Sequence, residues 1–206
     1  MSLRDRLFAA MYDRFTAKTE KACFSPHRQA LLAGLRGDVL EIGAGTGANL
    51  SHYGDDLATL TLTEPSRPMI RRLERRRDEL APAAKVLRAP AEDLPFEDDS
   101  FDAVVCTLVL CGVDDQPRTL RELHRVLRPS GALVFMEHVR SDDPKLARMQ
   151  DRMNRVNNMV AHCDCNRPTL DSIRAAGFSI TRLEHGTVAK APPFVRPLIV
   201  GLAQPT

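Results

Sequence analysis

The sequence predicts an α/β protein whose parallel sheet is covered by helices on both faces. Apolar strand segments and helical segments alternate along residues 39–138, as they do in sheets built from βαβ units. Residues 103–106 and 132–136 are almost continuously apolar, which suits strands buried on both sides. Residues 39–42 form a further buried strand that turns through glycines. At 206 residues, the chain fits one domain.

Two helices are predicted ahead of the first strand. In the first helix, large apolar side chains recur at every fourth residue and therefore share one face. These side chains are Leu3, Leu7, Met11 and Phe15. The second helix is predicted to begin at Ser25 and Pro26, a suitable pair for the N-cap and the first helical position, and to run to about Gly34.

The central part of the chain alternates between strands and helices. Strands are predicted over residues 39–42, 59–63, 85–88, 101–106 and 132–138. Helices are predicted over residues 47–53, from Ser66 onwards, and over residues 116–127. Pro129 and Gly131 close the last of these helices, because both residue types favour helix ends.

The final third is predicted to hold two helices and then two strands. The helices span residues 144–160 and 169–176, and the strands span residues 178–183 and 195–202. Three prolines separate and bound the two strands: Pro192, Pro193 and Pro197. Because proline donates no hydrogen bond to a neighbouring strand, they favour an edge position for the last strand.

Composition and charge exclude several function classes. The formal net charge of only +2 does not indicate a protein that binds nucleic acid. The arginines of residues 67–77 share their segment with acidic and apolar residues, which indicates a solvated helix face. No apolar stretch reaches the ~20 residues needed to cross a bilayer, and the N-terminus lacks a secretory signal. Five cysteines without disulfide-framework spacing indicate a reducing compartment. We expect a cytoplasmic protein with no nucleic-acid partner and no stable membrane insertion.

Four features are predicted at the carboxyl ends of successive strands, where open α/β sheets bind ligands. The first is the glycine turn of residues 43–47, preceded by Glu41. The second is Glu64, whose carboxylate can accept hydrogen bonds from two ribose hydroxyls. The third and fourth are residues 91–96 and residues 106–111. We expect these features to frame one ligand site.

The glycine turn is ambiguous when it is taken alone. Glycines let the backbone bend sharply and approach a ligand closely, and the helical turn after them offers free N–H groups. A cofactor that carries an adenosine or a carboxylate therefore fits. However, Gly43-x-Gly45-x-x-Ala48 also satisfies the dinucleotide fingerprint of dehydrogenases.

Taken together, the segments resemble the class I S-adenosylmethionine-dependent methyltransferases over roughly residues 28–140. The resemblance rests on EIGAGTG at residues 41–47, an acid that ends the next strand, AEDLPFEDDSFDAVV at 91–105 and LHRVLRPSGALVFMEHV at 123–139. The subset shared with ubiquinone and menaquinone methyltransferases is the most similar. This family implies a Rossmann-like fold with a seven-stranded, mostly parallel sheet and an antiparallel last strand. It also implies S-adenosyl-L-methionine as cofactor and S-adenosyl-L-homocysteine as product.

A narrower resemblance links the chain to the methyltransferase-like thiol S-methyltransferases. It rests on VVCTLVLC at residues 104–111, the Ala89-Pro90 step and EHV at residues 137–139. Bacterial relatives carry a GCHLNR-type segment, and this chain has Cys163-Asp164-Cys165-Asn166-Arg167 at the corresponding place. The cysteine, asparagine and arginine match, whereas the histidine and leucine are replaced.

The family pattern implies a role for each matching residue. Contacts to the methionine moiety of the cofactor are implied for Glu41, Gly43, Ala44, Gly45, Thr46, Gly47 and Asn49. Contacts to the adenosine are implied for Glu64 on the ribose and for Pro65, Met69, Ala91 and Glu92 around the adenine. The channel beside the sulfonium is expected to be lined by Thr107, Leu108 and Val109.

Methyl transfer from a sulfonium is an in-line displacement. The protein therefore mainly aligns the acceptor with the methyl group and removes water, which can lower the activation barrier by up to ~7–11 kcal/mol in well-oriented cases. A thiol acceptor must become a thiolate, which is its nucleophilic form. His138 is the first candidate for a base or a cationic partner, since it follows a strand at the ligand edge. Asp164, Cys163 and His162 are further candidates, and Tyr12 could close over the cofactor as part of a lid.

Structural roles compete with some of these assignments. His138 could equally be a satisfied structural histidine, and Cys106 and Cys111 lie in an apolar run where free cysteine packs as a small hydrophobe. The cysteines at 163 and 165 with the neighbouring histidine offer fewer ligands than the four that zinc sites normally use. No metal is therefore expected.

The sequence predicts an enzyme that moves a methyl group from S-adenosylmethionine to a small, largely apolar acceptor, with a thiol preferred. The alternatives are O-, N- or C-methylation of a small metabolite or quinone-like precursor, cofactor binding without turnover, and a nicotinamide dehydrogenase. We expect residues 1–36 to form an N-terminal helical cap, residues 37–140 the cofactor-binding core, and residues 141–206 the acceptor-side helices and closing strands. The sequence leaves the choice between monomer and homodimer open.

Overall fold

A computed structural model describes residues 13, 14 and 16–206 of the protein. Residues 13, 14 and 16–19 are helical. The apolar helix face predicted from Leu3, Leu7, Met11 and Phe15 lies outside the described residues, as does the lid predicted at Tyr12.

From residue 20 onwards, the described chain contains seven strands and five α-helices. Strands β1 to β7 span Gly37–Ile42, Leu57–Thr63, Lys85–Leu87, Phe101–Thr107, Leu127–His138, Phe178–Thr187 and Pro197–Pro205. Helices α1 to α5 span Ser25–Leu32, Arg67–Leu80, Gln116–Val126, Pro144–Ala161 and Thr169–Ala175. A π-helical turn lies at Glu20–Phe24, and 3₁₀ turns lie at Leu50–His52 and Pro193–Val195.

All seven strands belong to one sheet in the order β3-β2-β1-β4-β5-β7-β6. The pairs among β1 to β5 are parallel, whereas β7 runs antiparallel to both β5 and β6. This confirms the predicted seven-stranded, mostly parallel sheet with an antiparallel last strand. Alternate residues of β5 pack into two apolar clusters, Phe135 into one and Val134 into the other, so the sheet is covered on both faces.

The predicted edge position of the last strand is wrong. β7 lies between β5 and β6, and β6 is the edge strand. Pro197 and Pro205 are the first and last residues of β7, and residues 198–204 between them contain no proline. The interior of β7 therefore keeps every backbone donor that an inner strand needs.

Ser25 does not cap a helix as predicted. The π-helical turn at Glu20–Phe24 runs directly into α1, because Phe24 has helical dihedral angles, φ −79° and ψ −40°. The chain therefore forms one continuous helical segment from Thr16 to Leu32.

The helix predicted over residues 47–53 is reduced to the 3₁₀ turn at Leu50–His52. Asn49 and Tyr53 flank this turn, and both side chains bind the carboxylate of Glu41. Tyr53 leaves the helical region, with ψ 141°. These inward hydrogen bonds replace the continuation of the helix.

Candidate functional site

The chain order of the strands reverses at β1, whose carboxyl end lies between those of β2 and β4. Open α/β sheets bind ligands at such a switch point. A cavity of about 290 Å³ opens there, and we call it the switch-point cavity. Its lining residues are Gly43, Glu64, Pro65, Pro90, Ala91, Glu92, Leu108, Val109, Gly112, Val113 and Asp114. The structure thus brings together residues from all four sequence features that were predicted to frame one site.

The glycine turn after β1 requires glycine for conformational reasons. Gly43, Gly45 and Gly47 have φ of +57°, +58° and +85°, in the left-handed region that side chains disfavour. At Gly43, a Cβ would also lie 2.7 Å from a methyl group of Val109. The N–H of Ala44 donates to the Thr63 carbonyl at 2.9 Å, which ties the turn to the end of β2.

Glu64 ends β2 and is 7 % exposed. One carboxylate oxygen accepts from the N–H of Gly45 at 2.9 Å, and the other accepts from the N–H of Ser66 at 2.8 Å. Burial raises the pKa of Glu64 above its ordinary value, although these two hydrogen bonds lower it in part. Each oxygen keeps a further lone pair. The carboxylate can therefore accept two more hydrogen bonds from a ligand diol.

Glu41, at the end of β1, is buried in a hydrogen-bonded network. One carboxylate oxygen accepts from Nδ2 of Asn49 at 2.9 Å, and the other accepts from the Tyr53 hydroxyl at 2.6 Å. Burial raises the pKa of Glu41 to about 7, against the opposing effect of the Tyr53 hydrogen bond. The carboxylate therefore changes its protonation state near neutral pH.

Arg28 of α1 is a site residue that the sequence did not reveal. It is 4 % exposed. Its Nη1 donates to Oδ1 of Asn49 at 2.6 Å and to Oγ1 of Thr107 at 2.9 Å, while Nε donates to Glu20 at 2.7 Å. Nothing in its sequence neighbourhood distinguishes it from the many exposed arginines of the chain. Only the fold shows that Arg28, on a helix before the sheet, places its buried guanidinium between the residues that follow β1 and the end of β4.

A second cavity, of about 430 Å³, lies between the N-terminal helical residues and the glycine turn, and we call it the cap cavity. Its lining residues are Asp13, Thr16, Ala17, Glu20, Lys21, Ser25, Arg28, Gly47, Ala48, Ser51, His52, Arg76 and Leu80. The hydroxyl of Thr46 donates to Asp13 at 2.6 Å, and Nη2 of Arg76 lies 3.4 Å from the same carboxylate. The segment before β1 is thus bonded directly to the glycine turn.

Glu137 of β5 holds the loop that follows β4. Its side chain is fully buried and accepts hydrogen bonds from the N–H groups of Val109, Leu110 and Cys111 at 2.9, 3.0 and 3.2 Å. The loop begins at Leu108, a non-glycine residue with φ +61°. An acid at the end of an apolar strand was a visible signal for this residue. The role predicted for this strand end was instead given to the neighbouring His138, because that residue follows the strand at the ligand edge.

His138 lines neither of the two cavities. Its ring packs edge-on against Phe24 with centroids 6.2 Å apart, and its buried Nδ1 has no hydrogen-bond partner. Burial lowers the pKa of His138 to about 4, despite the backbone carbonyls of Pro197 and Val195 nearby. The imidazole is therefore neutral at physiological pH, which speaks against the predicted cationic partner.

Asp164 and Cys163 belong to a segment that is hydrogen-bonded to the loop after β4. The Asp164 carboxylate accepts from Nδ2 of both Asn154 and Asn158 at 2.8 Å and pairs with Arg167 at 2.6 Å. Burial alone would raise the pKa of Asp164, but the hydrogen bonds from Asn158 and Arg167 outweigh it and lower the pKa. Arg167 also donates to the carbonyl of Leu110 at 2.9 Å.

The thiols at 163 and 165 pack with Cys111 in a buried apolar cluster. All five cysteines of the chain are free and buried. A hydrogen bond with Cys163 and burial raise the pKa of Cys111 well above its ordinary value, and burial raises the pKa of Cys165 to about 12. Within residues 13–206 apart from 15, no group of three or more His, Cys, Asp or Glu side chains is arranged to hold a metal ion. The three cysteines of this cluster therefore contribute apolar packing.

The remaining predicted residues differ in how close they lie to the two cavities. Met69 is buried in α2 and does not line the switch-point cavity. Glu92 accepts from the N–H of Asp114 at 2.9 Å, which closes the rim of that cavity. Oγ1 of Thr107 accepts from both Arg28 and Asn49. Thr107 therefore belongs to the buried network around Glu41.

Comparisons with known proteins give a consistent result. A family model described as a methyltransferase domain matches residues 40–135. Thiol S-methyltransferase TMT1A of Homo sapiens is 33 % identical over 207 residues, which cover 95 % of this chain and 82 % of that protein. Phosphatidylethanolamine N-methyltransferase of Cereibacter sphaeroides is 31 % identical over 160 residues, which cover 75 % of this chain and 77 % of that protein.

A solved structure agrees with the observed fold. It is a SAM-dependent methyltransferase from Thermotoga maritima, titled a possible histamine N-methyltransferase, and it superposes with a TM-score of 0.71 at 23 % identity. The alignment covers 100 % of both chains. Within the part of the chain that the structure describes, no helix is both long enough and apolar enough to span a membrane.

Proposed function

The chain belongs to the class I S-adenosylmethionine-dependent methyltransferases, and from that premise we propose that it methylates the sulfur atom of a small, largely apolar thiol. Its cofactor is S-adenosyl-L-methionine, and its product is S-adenosyl-L-homocysteine. When bound, the cofactor supplies an electrophilic methyl group on a sulfonium, which is a good leaving group. The acceptor class and the residue roles below are our proposal.

The switch-point cavity fits the adenosine part of the cofactor. Glu64 offers carboxylate lone pairs for the ribose diol, and it is held in place by its hydrogen bonds to the backbone of Gly45 and Ser66. The walls next to it are apolar, with Pro65, Ala91 and Val113 among the lining residues. A flat, apolar base with polar edges suits such walls.

The Glu41 network and the cap cavity fit the methionine part of the cofactor. The Arg28 guanidinium is a buried cation that can attract a carboxylate, and the Glu41 carboxylate can pair with an ammonium. Both side chains reach Asn49, so the two charges are held within one network. We propose that residues 1–36 act as a cap over this end, that residues 37–140 hold the cofactor, and that residues 141–206 face the acceptor.

The ionisable side chains that line the switch-point cavity favour an acceptor that ionises unaided. They are Glu64, Glu92 and Asp114, all of them carboxylates. Carboxylates are too weakly basic to convert an alcohol into its alkoxide before methyl transfer, whereas a thiol with a pKa near ~8.5 supplies a fraction of thiolate by itself at neutral pH. This observation carries the proposal, and the 33 % identity to a thiol S-methyltransferase supports it.

The enzyme then contributes alignment and exclusion of water. Leu108 and Val109 form an apolar wall of the cavity, and Glu137 fixes that wall through three backbone hydrogen bonds. A thiolate that leaves water for this wall becomes more reactive, because its charge is less solvated. His138, Cys163 and Asp164 receive no acid–base role in this proposal. We assign Asp164 to positioning of the loop after β4, and we expect the reaction to take place in the reducing cytoplasm.

A panel of acceptors tests the proposal. Simple alkyl and aryl thiols, together with the matched alcohols and amines, are incubated with the protein and S-adenosylmethionine, and S-adenosylhomocysteine formation is measured. We expect thiols to react best, with rates that rise with pH as the thiolate fraction rises. Equal or reversed preference would refute the sulfur assignment. An amine is the second candidate, because the relative from Cereibacter sphaeroides is named as an N-methyltransferase.

A further inference from the structure

Several polar side chains of helix α4 face the protein, whereas several of its large apolar side chains are exposed to solvent. Gln150 is fully buried, and its Nε2 lies 2.9 Å from the carbonyl of Val139 and 2.7 Å from that of Cys165. Further along the same face, Asn154 and Asn158 bind Asp164. An ordinary surface helix has the opposite arrangement, with an apolar face turned inwards.

The outward face of α4 carries most of the exposed large apolar side chains. Met149, Val156 and Val160 are 42, 50 and 66 % exposed, and their spacing of seven and four residues places them in one stripe along the helix. Among the described residues, the one large apolar side chain off this helix with comparable exposure is Leu80 of α2. We call this set on α4 the apolar stripe.

A row of basic residues runs beside the apolar stripe. Lys145, Arg148, Arg152 and Arg155 are all exposed. The one acidic residue of α4, Asp151, has its charge compensated by Arg140 at 2.6 Å. The outer surface of α4 therefore combines a continuous apolar strip with uncompensated positive charge.

We propose that this surface of α4 docks on an anionic lipid membrane, with the apolar stripe at the level of the acyl chains and the basic row among the headgroups. Helices of this type lie in the plane of the interface, and basic residues add attraction to anionic lipids. This is attachment to the surface and requires no membrane-spanning segment.

The apolar stripe and its basic row fit a second copy of the chain or a nucleic acid less well than they fit a lipid surface. In a symmetric dimer through α4, the two arginine rows would face each other, because a two-fold axis brings the same patch of both copies together. A nucleic-acid backbone would satisfy the arginines but would leave the apolar side chains in water. An anionic lipid surface satisfies both sets at once.

The carboxyl end of α4 lies against the loop that borders the switch-point cavity. At the carboxyl end of α4, the carbonyl oxygen of His162 lies 2.5 Å from where a Cβ of Gly112 would be, and the N–H of Asp164 donates to the carbonyl of Cys111 at 2.7 Å. Gly112 is itself a lining residue of that cavity. An apolar molecule dissolved in the membrane would therefore have a short path to the site.

Vesicle co-sedimentation tests the proposal with the full chain. Vesicles of phosphatidylglycerol mixed with phosphatidylcholine are compared with vesicles of phosphatidylcholine alone. Two triple variants are made on α4, M149S/V156S/V160S and R148Q/R152Q/R155Q. The control for the apolar set is L80S. The control for the basic set is R67Q/R71Q/R75Q on α2, because these arginines are also exposed and their replacement changes the net charge by the same amount. Circular dichroism and thermal unfolding confirm that each variant is folded.

We expect the wild-type protein and both controls to bind the anionic vesicles, and each α4 variant to bind at least about tenfold more weakly. Three results would overturn the proposal. One is equal binding to neutral and anionic vesicles. Another is a loss of binding in the α2 control that matches the loss in the α4 variant. The third is a loss of self-association, measured by sedimentation velocity, in place of a loss of vesicle binding, because that would assign the stripe to a second copy of the chain.

Discussion

The guanidinium of Arg28 donates to the hydroxyl of Thr107 at 2.9 Å, so a helix that precedes the sheet is bonded to the carboxyl end of β4. The two residues are 79 positions apart in the chain. The same guanidinium binds Glu20 and Asn49. The first part of the chain is thereby joined to the residues that we propose as the binding site of the methionine moiety.

Replacing Arg28 by lysine is expected to weaken cofactor binding by at least about tenfold and to destabilise the fold by roughly 2–3 kcal/mol. Lysine keeps the charge but cannot reproduce the forked hydrogen bonds. We expect this destabilisation to be smaller than the ~3–5 kcal/mol that breaking a fully buried ion pair costs, because the Glu20 side chain that pairs with Arg28 is 26 % exposed. Isothermal titration with S-adenosylhomocysteine and urea unfolding measure the two effects.

Arg36→Lys is the matched control for this change. Arg36 pairs with Asp56 at 3.1 Å, but both side chains are largely exposed, so we expect no measurable effect on binding or stability. If the two variants behaved alike, Arg28 would not be a ligand-binding residue.

Replacing Glu64 by alanine is expected to weaken S-adenosylhomocysteine binding by more than ~1.5 kcal/mol, because the ribose hydroxyls lose a charged acceptor. The N–H groups of Gly45 and Ser66 lose their partner at the same time. Titration calorimetry gives the dissociation constant, with the exposed Glu74→Ala on α2 as the control. A dissociation constant that stays at the wild-type value would remove Glu64 from the site.

The sequence predicts those parts of the site whose residues stand directly next to a recognisable strand pattern. The glycine turn and Glu64 lie directly after apolar strands, and the carboxyl ends of parallel strands meet at one edge of the sheet. Their convergence on one cavity therefore follows from the fold class. The same reasoning reaches Leu108 and Val109, which follow β4.

Other parts depend on contacts between distant segments, which leave no local pattern. Arg28 resembles a surface arginine in sequence, and it is buried only because Glu20, Asn49 and Thr107 surround it. The inner position of β7 was missed for a related reason. Pro192, Pro193 and Pro197 look like edge signals until the register shows that the residues after Pro197 are paired with both β5 and β6.

Replacing Glu41 by glutamine is expected to change how stability depends on pH. In the folded protein, burial raises the pKa of Glu41 from its ordinary value of 4.5 to about 7. Between these values the folded state keeps a proton that the unfolded state releases, so this group makes the protein less stable as pH rises from about 4.5 to 7. At 1.36 kcal/mol per pKa unit, the loss is roughly 3 kcal/mol above pH 7.

Urea unfolding of both proteins at several pH values measures this effect. We expect the stability of Glu41→Gln relative to wild type to rise with pH across that range and then to level off. His138 acts in the opposite direction, because its pKa is lowered to about 4. Its contribution is the same in both proteins and cancels in the difference. A difference that is independent of pH would mean that Glu41 is not protonated in the folded state.

Replacing Glu137 by glutamine is expected to impair catalysis more than cofactor binding. The amide would turn an N–H group towards the N–H groups of Val109, Leu110 and Cys111, so at least one backbone donor would lose its acceptor, at roughly 1–3 kcal/mol. We expect a fall in kcat with the best thiol and a smaller change in S-adenosylhomocysteine affinity. Glu184→Gln, at an exposed ion pair on β6, serves as the control.

The placement of β7 has a consequence for how the protein is made. β6 pairs with no strand other than β7 in the described sheet, and β7 comes later in the chain. While the ribosome is still adding residues 197–205, the outer edge of β5 and the whole of β6 lack their partner. A nascent chain therefore presents two open strand edges, one of them beside the fully buried Phe135, and such edges are prone to pair with other chains. The interval before residues 197–205 have been made and paired should be the stage at which these two strand edges most need a chaperone.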